Sequence, residues 1–164
     1  MEKNRLIFDT SALISLETIH LLERVFDSFE IITTDSVIKE LENFAKYEDD
    51  YGFISKRVLL YSDRFKISKA ALKEVFENLE NTDNELYNLA KLEKVVVITD
   101  DIKFSNITRE KIKTKFSTFF LGFFISKGGL TKLQALERLE KLRDIRNWQH
   151  NIIYLVTKEE LESL

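Results

Sequence analysis

The stretch "VVVITDD", residues 95–101, carries Val95 to Ile98 through Thr99 into two adjacent aspartates, Asp100 and Asp101. Near the start, "RLIFDTS", residues 5–11, carries Leu6, Ile7 and Phe8 straight into Asp9. An uninterrupted apolar run is the mark of a strand in a parallel sheet that is covered on both faces. Neighbouring like charges repel, so two strands ending in acid predict that the acids meet in one place with a positive charge between them.

The rest of the chain fits around those two strands. Leu6–Phe8 precedes a helix with Leu13 and Leu16 that is expected to run through Phe26, and Phe29–Thr33 reads as a second strand. A helix follows from about Ser36, where Val37, Ile38, Leu41, Phe44 and Ala45 fall at i, i+1, i+4, i+7 and i+8, an amphipathic stripe. Tyr51 to Tyr61 is expected to be helical and "RFKIS" (64–68) to be a short strand. Residues 70–80 and 83–93 are expected to be helical, followed by strand 95–99. Thr108 to Lys127 is expected as one helix stopped at Gly128-Gly129, and "NIIYLVT" (151–157) as a last strand. Between these lies a helix with Leu133, Leu136, Leu139, Leu142, Ile145 and Trp148 three apart, a broad apolar surface for core packing first and a homodimer interface second. This alternation predicts an α/β fold, one three-layer α/β/α domain over residues 1–164 with a central, mostly parallel sheet. Ligands of such sheets bind outside the carboxyl ends of the strands, which puts Asp9 and Asp100 on one edge.

Composition narrows the function. With 44% apolar and 32% charged residues the chain reads as a globular protein. Cysteine is absent, which rules out disulfides, a thiolate zinc site and a cysteine nucleophile and is compatible with a cytoplasmic location. Neither a signal peptide nor a membrane span is expected; "FSTFFLGFF" (116–124) is too short to cross a bilayer and reads as buried core. No phosphate-binding GxxxxGK[ST] loop is present, and His20 and His150 lie far apart without metal-ligand spacing. A dehalogenase-type phosphatase would need an aspartate where Ser11 stands.

Further acids join the two strand ends. Thr82-x-x-Glu85 has the form of a capping box and predicts a helix start that makes Asp83 its first residue. Glu40 falls inside the apolar arc set by Val37 and Leu41, where an acid is costly unless paired or ligated. The net charge is −3, yet Lys103, Arg109, Lys111, Lys113 and Lys115 follow Asp101 with Glu110 as the one acid among them. This block is either a solvated face or a rim that holds phosphates beside the acidic centre.

Asp9-Thr10-Ser11 after the first strand, Glu40 on the following helix, Asp83 in "DNELYNLA" and Thr99-Asp100-Asp101 resemble, in order and spacing over nearly the whole chain, the PIN-domain nucleases. The segment "LGFFISKGGLTKLQALERLEKLRD" is similar to the C-terminal helices of a prokaryotic PIN branch. The resemblance implies a divalent-metal-dependent ribonuclease, either a toxin with an antitoxin partner or an RNA-processing enzyme. Its catalytic acids would be Asp9, Glu40, Asp83, Asp100 and Asp101. The first four would be the metal ligands, with Asp100 closer to the ion than Asp101. An all-oxygen site without histidine suits Mg²⁺ or Mn²⁺, and Ser11 and Thr99 would support the ligands by hydrogen bonds. The alternatives are a catalytically inert PIN-like interaction module and a phospho-receiver-like regulatory domain.

Overall fold

A computed structural model describes residues 3–164 of the chain. Strands β1 (Asn4–Phe8), β2 (Phe29–Thr33), β3 (Lys66–Ile67), β4 (Val97–Ile98) and β5 (Thr114–Lys115) form one sheet in the order β3-β2-β1-β4-β5. Every pairing is parallel, with Ile7 opposite Val97 and Phe8 opposite Ile98. Adjacent residues Ile7 and Phe8, Ile31 and Ile32, and Val97 and Ile98 are all fully buried. Successive strand residues face opposite ways, so helices cover both faces. The order reverses between β1 and β4, and the acids of the two quoted stretches follow these two strands.

Helices α1 (Thr10–Thr18) and α2 (Leu22–Ser28) follow β1, α3 (Asp35–Phe44) and α4 (Asp50–Leu59) follow β2, and α5 (Asn81–Glu93) precedes β4. Beyond β4 come α6 (Ile102–Thr108), α7 (Phe119–Ser126), α8 (Lys132–Arg146) and α9 (Ile152–Ser163). Among the described residues, no helix is long and apolar enough to cross a membrane.

Four expectations are corrected. The first helix breaks at His20, whose left-handed backbone (φ 54°) turns the chain so that Ile19, Leu21 and Leu22 are all buried. Residues 108–127 are not one helix. Lys111, Lys113 and Lys115 are exposed while Ile112, Thr114 and Phe116 turn inward, a period of two that belongs to an edge strand; the carbonyls of Lys113 and Lys115 accept the Val97 and Thr99 amides at 3.0 and 2.9 Å. "NIIYLVT" opens helix α9, because Ile153, Tyr154, Thr157 and Leu161 form the buried stripe once the segment beyond Thr157 is counted. Residues 70–80 are irregular instead of helical. Two buried asparagines one turn apart on α5 capture this segment: the Asn88 carbonyl oxygen accepts from the amides of Lys73 and Glu74, and that of Asn84 accepts from Phe76. Their amide nitrogens donate to the carbonyls of Glu74, Phe76 and Leu79. Side-chain amides thus replace the bonds a helix would have made.

Asn84→Ala and Asn88→Ala should each cost about 1–3 kcal/mol, the penalty for buried groups left without partners, and should speed amide exchange at Lys73, Glu74 and Phe76. Urea melts and hydrogen exchange check this. Unchanged exchange would show that the segment is held by other contacts.

Candidate functional site

Asp9 sits one residue past β1 and caps α1. Its Oδ1 accepts from the Ala12 amide at 2.8 Å and the Ser11 hydroxyl at 2.8 Å, and its Oδ2 accepts from the Thr99 hydroxyl. Ser11 and Thr99 face both ways: they also accept the amides of Asp100 and Asp101, at 2.9 and 3.0 Å. Two hydroxyls therefore tie the end of β1 to the end of β4.

A cleft of about 370 Å³ opens at this carboxyl edge. Asp9, Glu40, Asp83 and Asp101 line it, joined by Glu80, which sequence reasoning missed. Glu80 was hidden because α5 begins at Asn81, earlier than the expected Thr82 cap; Asp83 is the third helical residue, and its Oδ2 accepts from the Glu80 amide at 3.3 Å. Glu40 Oε2 accepts from the Thr10 hydroxyl at 2.5 Å, and Asp101 Oδ1 caps α6 through the Phe104 amide at 2.9 Å. Glu40, Asp83 and Asp101 each keep a second carboxylate oxygen without a protein donor among the described residues.

Asp100 behaves differently from its neighbour. It does not line the cleft; its oxygens accept from the Ser117 amide at 2.8 Å and the Ser117 hydroxyl at 2.7 Å. Of the pair, Asp101 faces the cleft and Asp100 does not. The turn after Thr99 aims Asp100 at the start of α7 and Asp101 at the cleft.

The basic block does not form one rim beside the acids. Among its members only Lys103 lines the cleft, while Arg109, Lys111 and Lys113 line a groove where β4 and β5 begin, and Lys115 lies over the Phe119 ring. The second cation of the cleft is Arg146, at the end of α8, which sequence reasoning also missed. Its guanidinium lies 5.5 Å from the Tyr51 ring centre and 5.3 Å from that of Trp148, and its buried Nε has no hydrogen-bond partner among the described residues.

Five carboxylates against two cations make the cleft strongly negative. Burial pushes Asp9 up to about 7, opposed by the Thr99 and Ala12 hydrogen bonds, with the charge of Asp100 adding to the rise. Burial, then the charge of Asp101, pushes Asp83 up to about 6, with Glu80 and Glu40 adding further. Burial likewise raises Asp100, against the Ser117 hydrogen bonds and the charge of Arg146. The donor set is all oxygen and electron-rich, which fits a hard divalent cation by chemistry. Among the described residues, however, no three acid or histidine side chains converge closely enough to hold an ion as they stand.

The raised values set a pH dependence. Folded Asp9 and Asp83 hold protons more tightly than the unfolded chain, so their contribution to stability is full below about 3.8 and is lost as pH rises through about 6–7. In chelator, melting temperature should fall as pH rises across that window. Asp9→Asn, which keeps an acceptor for the Ala12 amide, should flatten the fall and be no less stable than the parent at the alkaline end. An equally steep profile for Asp9→Asn would assign the dependence to other groups.

No curated protein matches the sequence. Among solved structures, a domain of a functionally unknown protein from Methanocaldococcus jannaschii is similar at 20% identity and TM-score 0.50, covering 69% of this chain and 90% of that one. VapBC2 from Rickettsia felis, solved bound to a DNA fragment from its promoter, aligns at 16% identity and TM-score 0.49, over 68% of this chain and 98% of that one. A family model for the PIN domain matches residues 5–162, nearly the whole sequence. The chain belongs to the PIN-domain family.

Proposed function

We propose that the chain is a divalent-metal-dependent ribonuclease that hydrolyses RNA phosphodiesters in the carboxylate cleft. The supporting observation is that Asp9, Glu40, Asp83 and Asp101, drawn from four separate segments, line one cavity beside the point where the strand order reverses. Membership of the PIN-domain family points the same way.

In this reading Asp9, Glu40, Asp83 and Asp101 would hold Mg²⁺ or Mn²⁺, which requires the acids to draw closer together than they stand. The ion would supply a water of lowered pKa and offset charge on the phosphate. The remaining work belongs to the chain. Ser11 and Thr99 fix the orientation of Asp9, and Thr10 fixes Glu40. Lys103 and Arg146 are the cations that would meet a phosphodiester; Arg146 offers a planar guanidinium suited to two phosphate oxygens. Asp100 is assigned to holding Ser117, not to the ion. The competing reading, an inert PIN-like module, draws on the spread of the acids. An antitoxin-type protein partner belongs to the proposal on family membership alone, and co-purification with the product of a small neighbouring gene tests it.

Turnover of labelled structured and unstructured RNA, with and without Mn²⁺, tests the proposal. The parent should cleave only with the ion. Asp101→Asn, which keeps the cap on α6, should stay folded by circular dichroism and lose about 10²-fold or more. Asp100→Ala should melt earlier but lose less turnover at a temperature where it is folded. The opposite ranking would return Asp100 to the ion, and no cleavage with any divalent ion would leave the inert module.

Arg146→Gln should lower kcat/KM by about 10- to 10²-fold, the range of one hydrogen bond to a charged group. Stabilisation by Mn²⁺ should survive in that variant. Unaltered kcat/KM would place Arg146 outside the substrate path.

A further inference from the structure

The edge of the sheet opposite the cleft carries the reverse charge. A groove of about 490 Å³ lies there, walled by Lys91 and Lys94 from the end of α5 and by Arg109, Lys111 and Lys113 from the approach to β5. Glu110 is the one acid among its lining residues, in a chain whose net charge is −3. Half-buried Val95, Val96 and Ile112 add apolar surface between the cations.

Two of these cations are held in place. Glu74 accepts from Lys111 at 2.8 Å, from Lys91, and from the Tyr87 hydroxyl at 2.6 Å. One carboxylate between two ammonium groups leaves a positive charge over. Lys94, Arg109 and Lys113 make no ion pair among the described residues. Lys94 occupies a left-handed backbone position (φ 54°) at the end of α5, where glycine is the unstrained choice, and lines the groove. Five cations clustered around aliphatic surface match a ligand with repeated negative charges and apolar groups between them, which describes single-stranded RNA.

A line of exposed lysines runs from the groove towards the cleft edge. Strand β5 is the edge strand and runs parallel to β4, so Lys111 and Lys113 on the approach to it and Lys115 within it lead in the direction of the carboxyl edge, where Lys103 lines the cleft. From Val96 to Asp101 is five residues, at most about 17 Å of extended chain.

We propose that this groove is an exosite for single-stranded RNA, holding the phosphates of the segment that flanks the bond placed in the cleft. The choice of RNA rests on the ribonuclease reading; binding itself needs no cleavage.

Fluorescence anisotropy of labelled single-stranded RNA, in chelator and over a range of salt concentrations, tests the exosite. The double variant Lys94→Glu/Lys113→Glu should bind at least about tenfold more weakly, and its log-affinity against log-salt slope should be shallower by about 1.4, roughly 0.7 for each phosphate no longer neutralised. Lys56→Glu/Lys127→Glu makes the same change in net charge outside groove and cleft and should lose less than about twofold. If the double reversal fails to fold, Lys94→Gln and Lys113→Gln singly should each show about half the slope change. Equal losses in groove and control pairs, wild-type affinity in the groove variants, or no RNA binding by the parent would each overturn the exosite. A parent that binds through the groove yet cleaves nothing with Mn²⁺ overturns the ribonuclease reading alone. A parent that cleaves, with groove variants binding normally, overturns the exosite alone.

Discussion

The hydroxyl of Thr99 donates to the carboxylate of Asp9 across 90 positions of sequence, and it can do so only because β1 and β4 lie side by side. The other features of the edge are arranged around that pairing. It places Phe8 opposite Ile98, so the next residues of each strand emerge together at the carboxyl edge. Ser11 reinforces the junction by donating to Asp9 and accepting the Asp100 amide. Helices α3 and α5 then need only deliver Glu40, Glu80 and Asp83 to an edge already defined. The core and the site are thus one construction: apolar runs bury the strands, and the acids that end them cannot follow the strands inside without raised pKa values or a cation.

The strand ends were legible in the sequence because burial on both faces leaves an unbroken apolar run, and the turn to acid is abrupt. Glu40 was legible because helical spacing showed a charge inside an apolar arc. What was not legible has particular causes. The backbone turn after Thr99 decides which of Asp100 and Asp101 meets the cleft, and alternation along a strand does not extend through a turn. The segment "KIKTKF" (111–116), which contains β5, carries a period of two in plain view, but the helical reading of the longer window covered it. Residues 70–80 look helical taken alone; their conformation is imposed by Asn84 and Asn88, which follow them in sequence. Arg146 reaches the cleft from α8, far from any acid of the cleft in sequence, and nothing local distinguishes it from other surface arginines.

Net charge concealed the electrostatic design. The value of −3 is the sum of an acidic cleft at one edge of the sheet and a basic groove at the other, together with paired surface charges. On the proposed reading, such a separation would let a cation gather at one end of the sheet while a polyanion is held at the other. A chain with the same residues spread evenly would repel RNA weakly everywhere and attract a divalent ion nowhere in particular. Separation also keeps the lysines from neutralising the acids: among the described residues the cleft has Lys103 and Arg146 as the cations on its lining, beside five carboxylates.

Whether the acids of this one edge form a divalent-cation site is best decided by crystallography. A crystal grown with Mn²⁺ and recorded at a wavelength where manganese scatters anomalously locates the ion without reference to activity. An anomalous peak is expected among the carboxylates of Asp9, Glu40, Asp83 and Asp101, with these side chains drawn closer together and Asp100 still bonded to Ser117. A peak on Asp100 instead of Asp101, or an Mn²⁺-saturated crystal with no peak in the cleft, would refute the site.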